Sequence, residues 1–307
     1  MLRPILLLPI ALTLSVPAAA QRPARAELDT TFTFSANGIV DIRGHSADVA
    51  ISTWNKSQAR VVVVPGDLEY DTDLSSSRLR VELRSRRGRS YDDGSRVTIT
   101  VPVGTRVDVN AVSGDIEIRG TRADVVAGST SGDVTVEEAV GRVEANSVSG
   151  DVVVQRVTNG TVRISSVSGD VVVKNVDGLV SAETVSGDVN VSDAKSSDVR
   201  MQTVSGDAVY RGTVDPRGRY LLKSHSGDVM IAMPGDVKAD VNVQTFNGEI
   251  DSDFPITIAP SSSEGRRVRR DRMSFSINGG GGAAVDLETF SGTILIRRPG
   301  ARTSRED

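Results

Sequence analysis

An alternation of apolar and polar residues repeats through the middle of the chain. In the unit from Ser149 to Val167, SGDVVVQRVTNGTVRISSV, apolar residues stand two positions apart, and a third follows after a three-residue step. A spacing of two is that of a strand with one buried face, and the longer step indicates a corner. The apolar positions of this unit are Val152, Val154, Val157, Val162, Ile164 and Val167. Each unit therefore predicts two short strands around a thin aliphatic core.

The tripeptide Ser-Gly-Asp marks each unit, and its glycine recurs at intervals of 18, 18, 19, 18, 19 and 21 residues. These glycines are Gly114, Gly132, Gly150, Gly169, Gly187, Gly206 and Gly227. Related tripeptides begin at Ser46, Asn247 and Ser291. The period predicts an all-β protein, a β-solenoid (parallel β-helix-like) of about 18–19-residue coils with two strands per coil, whose repeat glycines lie in structural turns. An antiparallel sandwich or a propeller is the alternative, although propeller blades need roughly 40–50 residues.

The two ends of the repeat are less regular. Residues 30–111 hold candidate strands separated by longer polar loops, namely Thr31–Phe34, Ile39–Ile42, Val49–Trp54, Arg60–Val64, Leu79–Leu83 and Val97–Val101. Residues 112–250 carry the regular repeats, and residues 251–298 read as C-terminal coils with an inserted loop at 255–284. We expect capping strands at both ends, because a bare solenoid end exposes unpaired backbone groups. The single domain then spans 30–298, between a linker at 21–29 and a flexible tail at 299–307.

Residues 1–20 read as a signal peptide. Arg3 is followed by an apolar run, and Ala18-Ala19-Ala20 forms a small-residue cleavage site. We therefore expect an exported protein, which is periplasmic, secreted or associated with the cell surface, with no transmembrane segment after the signal is removed.

Composition excludes several kinds of chemistry. The chain has no Cys and two His, so thiol nucleophiles, disulfides and Cys-ligated metals are excluded and a His-rich metal centre is not expected. With 36 Lys+Arg against 40 Asp+Glu, it lacks the excess of basic residues that a nucleic-acid partner requires. Aromatic residues make up 4% of the chain, which suits a narrow Val/Ala/Ile core.

The serial V-S-G-D-V units resemble the bacterial putative-adhesin family of β-strand-repeat domains of unknown function. The resemblance also rests on the segments Gly38–Ile42 and Val49–Trp54 and on the closing Glu288–Gly292 after a glycine-rich stretch, and it covers roughly residues 30–298. It implies an exported solenoid with an adhesive or surface role, and it carries no catalytic residues to transfer.

The aspartates of the repeat form the first candidate site. They are Asp115, Asp133, Asp151, Asp170, Asp188, Asp207 and Asp228. In a solenoid they stack about 4.8 Å apart along one edge, where a row of carboxylates offers oxygen ligands for Ca²⁺. The alternative, which we prefer, is that Ser and Asp accept backbone N–H bonds in a tight turn, since the calcium repeat G-G-x-G-x-D is missing. No other cofactor is expected.

Two arginine clusters form the second candidate. The first comprises Arg78, Arg80, Arg84, Arg86, Arg87 and Arg89, and the second comprises Arg266, Arg267, Arg269, Arg270 and Arg272 in the inserted loop. Either cluster suits phosphate or sulfate groups of a polysaccharide or lipid head group. The alternative is a pair of solvated loops that keep a sheet edge from pairing with another strand. Acidic residues close by in the sequence favour this alternative.

His225 occupies the position that Val167 and Val185 fill in other units, and we expect a corner histidine bonded to backbone rather than a catalytic or metal-binding group.

We expect no enzyme, but a monomeric adhesin or envelope scaffold whose partner is an envelope or extracellular glycan or protein. The alternatives are a β-helix carbohydrate-active enzyme that acts on an acidic polysaccharide and a self-assembling envelope scaffold.

Overall fold

The computed structural model describes residues 27–66, 68–84, 94–255 and 272–299. These segments form strands and turns, and no helix in them is long and apolar enough to cross a membrane. The first nine strands are β1 (Leu28–Thr33), β2 (Ile39–Ser46), β3 (Asp48–Trp54), β4 (Gln58–Val64), β5 (Glu69–Leu74), β6 (Arg78–Arg84), β7 (Arg96–Pro102), β8 (Arg106–Ser113) and β9 (Ile116–Arg119). The next seven are β10 (Val125–Ser131), β11 (Val134–Glu137), β12 (Val140–Ser149), β13 (Val152–Ser165), β14 (Val171–Glu183), β15 (Val189–Gln202) and β16 (Ala208–Ser226). The last six are β17 (Val229–Ala232), β18 (Ala239–Asn247), β19 (Ile250–Ser252), β20 (Arg272–Ile277), β21 (Ala283–Ser291) and β22 (Ile294–Arg297).

The middle of the chain is an all-β, solenoid-like stack in which each unit pairs in parallel with the next. Val134 lies opposite Val152, which lies opposite Val171, and Val171 lies opposite Val189. Equivalent side chains thus meet at the same height, and Val, Ala and Ile fill the space between the two halves of each unit. This matches the parallel arrangement that the repeat predicts and excludes the antiparallel sandwich for these residues.

The two halves of a unit are not always separate strands. From β13 to β16 they join into one bent strand of 13 to 19 residues. The register shifts at the corner, as between Val157 and Gly160. The corner residues Arg156, Asn175 and Asp193 adopt left-handed φ angles near +50°, a conformation that lets the chain bend without interrupting the ladder. The expectation of two strands per coil therefore fits the units before β13 and after β16, whereas each unit from β13 to β16 is one bent strand.

One of the six apolar positions of the repeat is not in the core. Val152, Val154, Val157 and Val162 are fully buried, whereas Val167 is 45% exposed. The same position is exposed in the neighbouring units, so the sequence-based assignment of a buried sixth position is wrong. This residue directly precedes the Ser-Gly-Asp turn, where the chain has already left the core-facing strand.

At the N-terminal end, the order of strands in space differs from their order in sequence. β2 lies between β6 and β8, and β3 lies between β7 and β9, all in parallel. β5 pairs antiparallel with β6, and β1, β4 and β7 pair antiparallel in that order. β5 was not expected from the sequence, because its segment EYDTDL holds few apolar residues.

The C-terminal end is also rearranged. β21 and β22 lie between β16 and β17 on one side and β18 and β19 on the other. The last unit in sequence is therefore inserted into the stack, and the unit that precedes it in sequence is outermost. The inserted loop predicted at 255–284 contains a strand, β20, that pairs antiparallel with β18.

Candidate functional site

The Ser-Gly-Asp turns lie above one another and form one edge of the stack, which we call the turn edge. Gly187 has a φ of +150°, and a Cβ added there would overlap the carbonyl group of Gly169 in the preceding unit. Backbone segments of successive turns therefore approach each other closely, and a residue with a side chain does not fit between them. This explains the glycine in every regular turn.

The repeat aspartates form a hydrogen-bonded row along the turn edge. The backbone N–H of Asp170 donates to Oδ1 of Asp151 at 2.7 Å, and the N–H of Asp188 donates to Oδ1 of Asp170 at 2.8 Å. The same bond recurs from Asp115 to Asp228, and the early tripeptide joins it through Asp48. Each of these carboxylates thus accepts from the next unit, so the row ties neighbouring units together.

Across the described segments, no group of three or more His, Asp or Glu side chains converges in a way that could hold a metal ion. The repeat aspartates form a line and their Oδ1 atoms face backbone N–H groups. The structural turn role that we prefer for this row and the alternative of calcium binding both stay hypotheses, and titration with Ca²⁺ can test the second.

A second row, which sequence reasoning missed, lies just inside the turn edge. Its hydroxyl groups donate to the glycine carbonyl of the preceding unit, for example from Ser166 to Gly150 and from Thr184 to Gly169, both at 2.9 Å. The row comprises Ser129, Ser147, Ser166, Thr184, Thr203, Ser224 and Thr289, all of them buried. The signal was present in the sequence, because Ser or Thr stands three residues before each of these repeat glycines.

An exposed apolar ridge runs along the outside of the same edge. It comprises Val112, Thr130, Val148, Val167, Val185, Val204, His225, Phe290 and Phe246, in their order along the stack. The five valines are each 45–46% exposed. At about 4.8 Å per step, the apolar ridge is about 38 Å long.

Aromatic rings form the C-terminal end of the apolar ridge. The rings of His225 and Phe290 are stacked with centroids 4.9 Å apart, and Phe290 stacks on Phe246 at the same distance. Phe246 is 71% exposed. His225 therefore contacts an aromatic ring at the corner where the sequence predicts a histidine bonded to backbone, and this contact exists because β21 is inserted next to β16.

The arginine clusters differ in what the structure says of them. Arg266, Arg267, Arg269 and Arg270 lie outside the described residues, as does the side chain of Arg272. In the first cluster, Arg80 and Arg84 form ion pairs with Glu82, which reduces their availability to a ligand. Arg86, Arg87 and Arg89 also lie outside the described part of the chain.

A compact charge network lies on the outer face of the sheet, near its other edge. The Glu137 carboxylate contacts Arg119 and Arg156, both at 2.8 Å, and accepts a short hydrogen bond from Gln155. Burial tends to raise the pKa of Glu137, but the hydrogen bond from Gln155 and the two arginine charges outweigh it, and the pKa is lowered. Arg119 also binds Glu117 at 2.9 Å. The groups around it thus hold the Glu137 carboxylate in its ionised form.

The fold and its edge define a class of all-β proteins built from a stacked, glycine-turned repeat. A sequence model of the Toastrack DUF4097 family matches residues 38–211, and the chain belongs to that family. This agrees with the resemblance drawn from the repeat. No curated protein matches the chain.

The solved structures to which the chain is similar are distant in sequence. A putative adhesin from Bacteroides fragilis is 10% identical, with 89% of this chain and 98% of that chain covered and a TM-score of 0.43. A protein from Parabacteroides distasonis described as a putative lipid binding protein is 12% identical, with 89% and 97% covered and a TM-score of 0.44. A putative cell adhesion protein from Clostridium sporogenes is 8% identical, with 89% and 100% covered and a TM-score of 0.26.

Proposed function

We propose that this protein is an exported, non-enzymatic adhesin-like module that binds a protein partner of the cell envelope or its surroundings through the apolar ridge. The ridge is the observation that carries the proposal. Four successive units expose a valine at one position, Val148, Val167, Val185 and Val204, and Phe290 and Phe246 extend the row beyond His225. Contiguous exposed apolar patches mark interaction sites more often than scattered apolar residues do. The leader-like segment at residues 1–20 supports export.

Charge along the ridge indicates the chemistry of the partner. The aspartate row runs parallel to the apolar ridge three residues further along each unit, and Asp115, Asp133, Asp151 and Asp170 are exposed. A partner that covers the ridge must accommodate these carboxylates, because like charges across an interface are unfavourable. The complementary surface is an apolar strip bordered by Lys or Arg.

The hydrogen-bonded rows make the ridge rigid. Bonds from the aspartate row and from the buried hydroxyl row cross every gap between the regular units. A preorganised surface loses little conformational entropy on binding, so a modest apolar area gives usable affinity.

The antiparallel strands at the two ends support a monomeric module over a self-assembling scaffold. β5 and the β1–β4 pair border the first units, and β20 pairs with β18 in the outermost C-terminal unit. We propose that these strands cap the parallel ladder and limit end-to-end stacking.

Binding of the purified protein to an array of envelope glycans, lipids and matrix proteins tests the function. We expect saturable binding to a basic protein that survives moderate salt. In the double variant Val167→Ser, Val185→Ser, two half-exposed valines are lost, each worth about 0.7–1 kcal/mol of apolar burial, so affinity should fall at least about tenfold.

Leu179→Ser is the matched control, because Leu179 is 44% exposed but lies away from the ridge. It should leave affinity unchanged. The proposal would be overturned if the two variants lost affinity equally. Binding only to glycans, with an affinity that the ridge variant does not change, would also overturn it, as would a blank array with folded protein.

A further inference from the structure

A cavity of about 510 Å³ lies at the corners between the two halves of the last units, away from the turn edge. Its lining includes Asp193, Lys195, Arg211, Met230, Arg297 and Arg298. We propose that this corner cavity is a second binding site, independent of the apolar ridge, for a phosphate group carried on a small organic molecule. The ligand is either a free sugar phosphate or a phospholipid head group.

The charges of the corner cavity are unbalanced. Within the part of the chain that the structure describes, no carboxylate lies at ion-pair distance from Lys195 or Arg211, and the guanidinium of Arg298 lies over the ring of Phe254 at 5.3 Å. Asp193 is the only carboxylate among the described lining residues. Lys195, Arg211 and Arg298 can therefore contact a ligand group that carries nearly two negative charges and three acceptor oxygens, as phosphate does.

Arg297 has a different role, because acids already neutralise it. Its two terminal nitrogens contact Asp251 at 2.6 Å and Asp253 at 3.1 Å, and its side chain is 18% exposed. These ion pairs form one wall of the cavity and fix the position of the backbone that carries Arg298. The backbone N–H of Arg298 also donates to Asp253 at 2.9 Å.

Two buried tyrosines hold the corner that carries Arg211. The hydroxyl of Tyr210 donates to the carbonyl of Thr213 at 2.7 Å, and the hydroxyl of Tyr220 accepts from the N–H of Asp215 at the same distance. Burial raises the pKa of both phenols, so they remain protonated and keep these bonds at neutral pH. This corner is therefore braced from inside, and a braced site is preorganised for a ligand.

The floor of the cavity is apolar. Met230 and Ala232 point to the outer face of β17, opposite to the core residues Val229 and Ile231, yet they are only 4% and 8% exposed. The volume lies within the range of small-molecule sites, which combine an apolar floor with a few convergent polar groups. A sugar ring or glycerol body would lie on this floor while its phosphate contacts the cations.

Titration calorimetry with glucose 6-phosphate and co-sedimentation with phosphatidylglycerol vesicles distinguish the two sources of phosphate. We expect saturable binding in at least one arm. Arg211→Ser or Arg298→Ser should weaken it by about tenfold or more, because each change removes charge-assisted hydrogen bonds. Binding in the calorimetry arm identifies a free sugar phosphate, and binding to vesicles alone identifies a lipid head group.

Arg219→Ser is the matched control. Arg219 is an exposed arginine in the same strand, β16, but it does not line the cavity. It should change affinity by less than about twofold. No saturable binding in either arm, or an equal loss in the control, would refute the corner cavity as a phosphate site. The ridge variant should bind both probes normally, so failure here leaves the proposed function untouched.

Discussion

Removal of one buried hydroxyl tests whether the inner Ser/Thr row holds the units together. Ser166 is 4% exposed, and its hydroxyl donates to the carbonyl of Gly150 at 2.9 Å. Ser166→Ala deletes that donor and leaves a carbonyl in a confined space without its side-chain partner. Such a loss costs about 1–3 kcal/mol of unfolding free energy. For a domain of this size, about 2 kcal/mol corresponds to a melting temperature lower by about 4–8 °C.

Ser166→Thr is the control for this prediction. It keeps the hydroxyl, and the next unit already carries threonine at the equivalent position, Thr184. We expect its unfolding free energy to stay within about 0.5 kcal/mol of the wild type. Urea unfolding followed by circular dichroism measures both variants. If alanine and threonine variants lose the same stability, packing at this position matters and the hydrogen bond does not.

Two further changes probe the charged groups. Asp170→Asn keeps an oxygen that accepts a hydrogen bond from the backbone N–H of Asp188, and it removes a repulsion of about 1 kcal/mol with each neighbouring carboxylate. At low salt, its melting temperature should therefore be higher than that of Asp170→Ala and at least as high as that of the wild type. A rise in wild-type melting temperature with Ca²⁺ that Asp170→Asn abolishes would instead show that the row binds cations. Glu137 has a pKa below its usual 4.5, because the hydrogen bond from Gln155 and the charges of Arg119 and Arg156 outweigh the effect of burial. Its contribution to stability is therefore full above about pH 4.5 and is lost as pH falls through the lowered pKa. The stability gap between wild type and Glu137→Gln should narrow below pH 4.5 in acid-denaturation curves, and a gap that does not vary with pH would contradict the ion-pair reasoning.

The regular units could be derived from the sequence because their physics is local. The spacing of Val152, Val154 and Val157 defines one buried face, and a glycine every 18 or 19 residues defines the turn. Parallel stacking follows, since identical units bury the most apolar surface when equal positions meet. The sixth position was misassigned, because an apolar side chain such as Val167 carries no local mark of whether it faces the core or solvent.

The ends and the sites depended on contacts between residues far apart in sequence. Only the tertiary structure places β21 between β16 and β18, and so brings Phe290 between His225 and Phe246. It likewise gathers Lys195, Arg211 and Arg298 around one cavity, although about a hundred residues separate the first from the last. A repeat determines what each unit pairs with when all units are alike. Where units differ, the pairing that buries most apolar surface and satisfies most backbone groups is decided by the whole stack, and the sequence pattern alone does not reveal it.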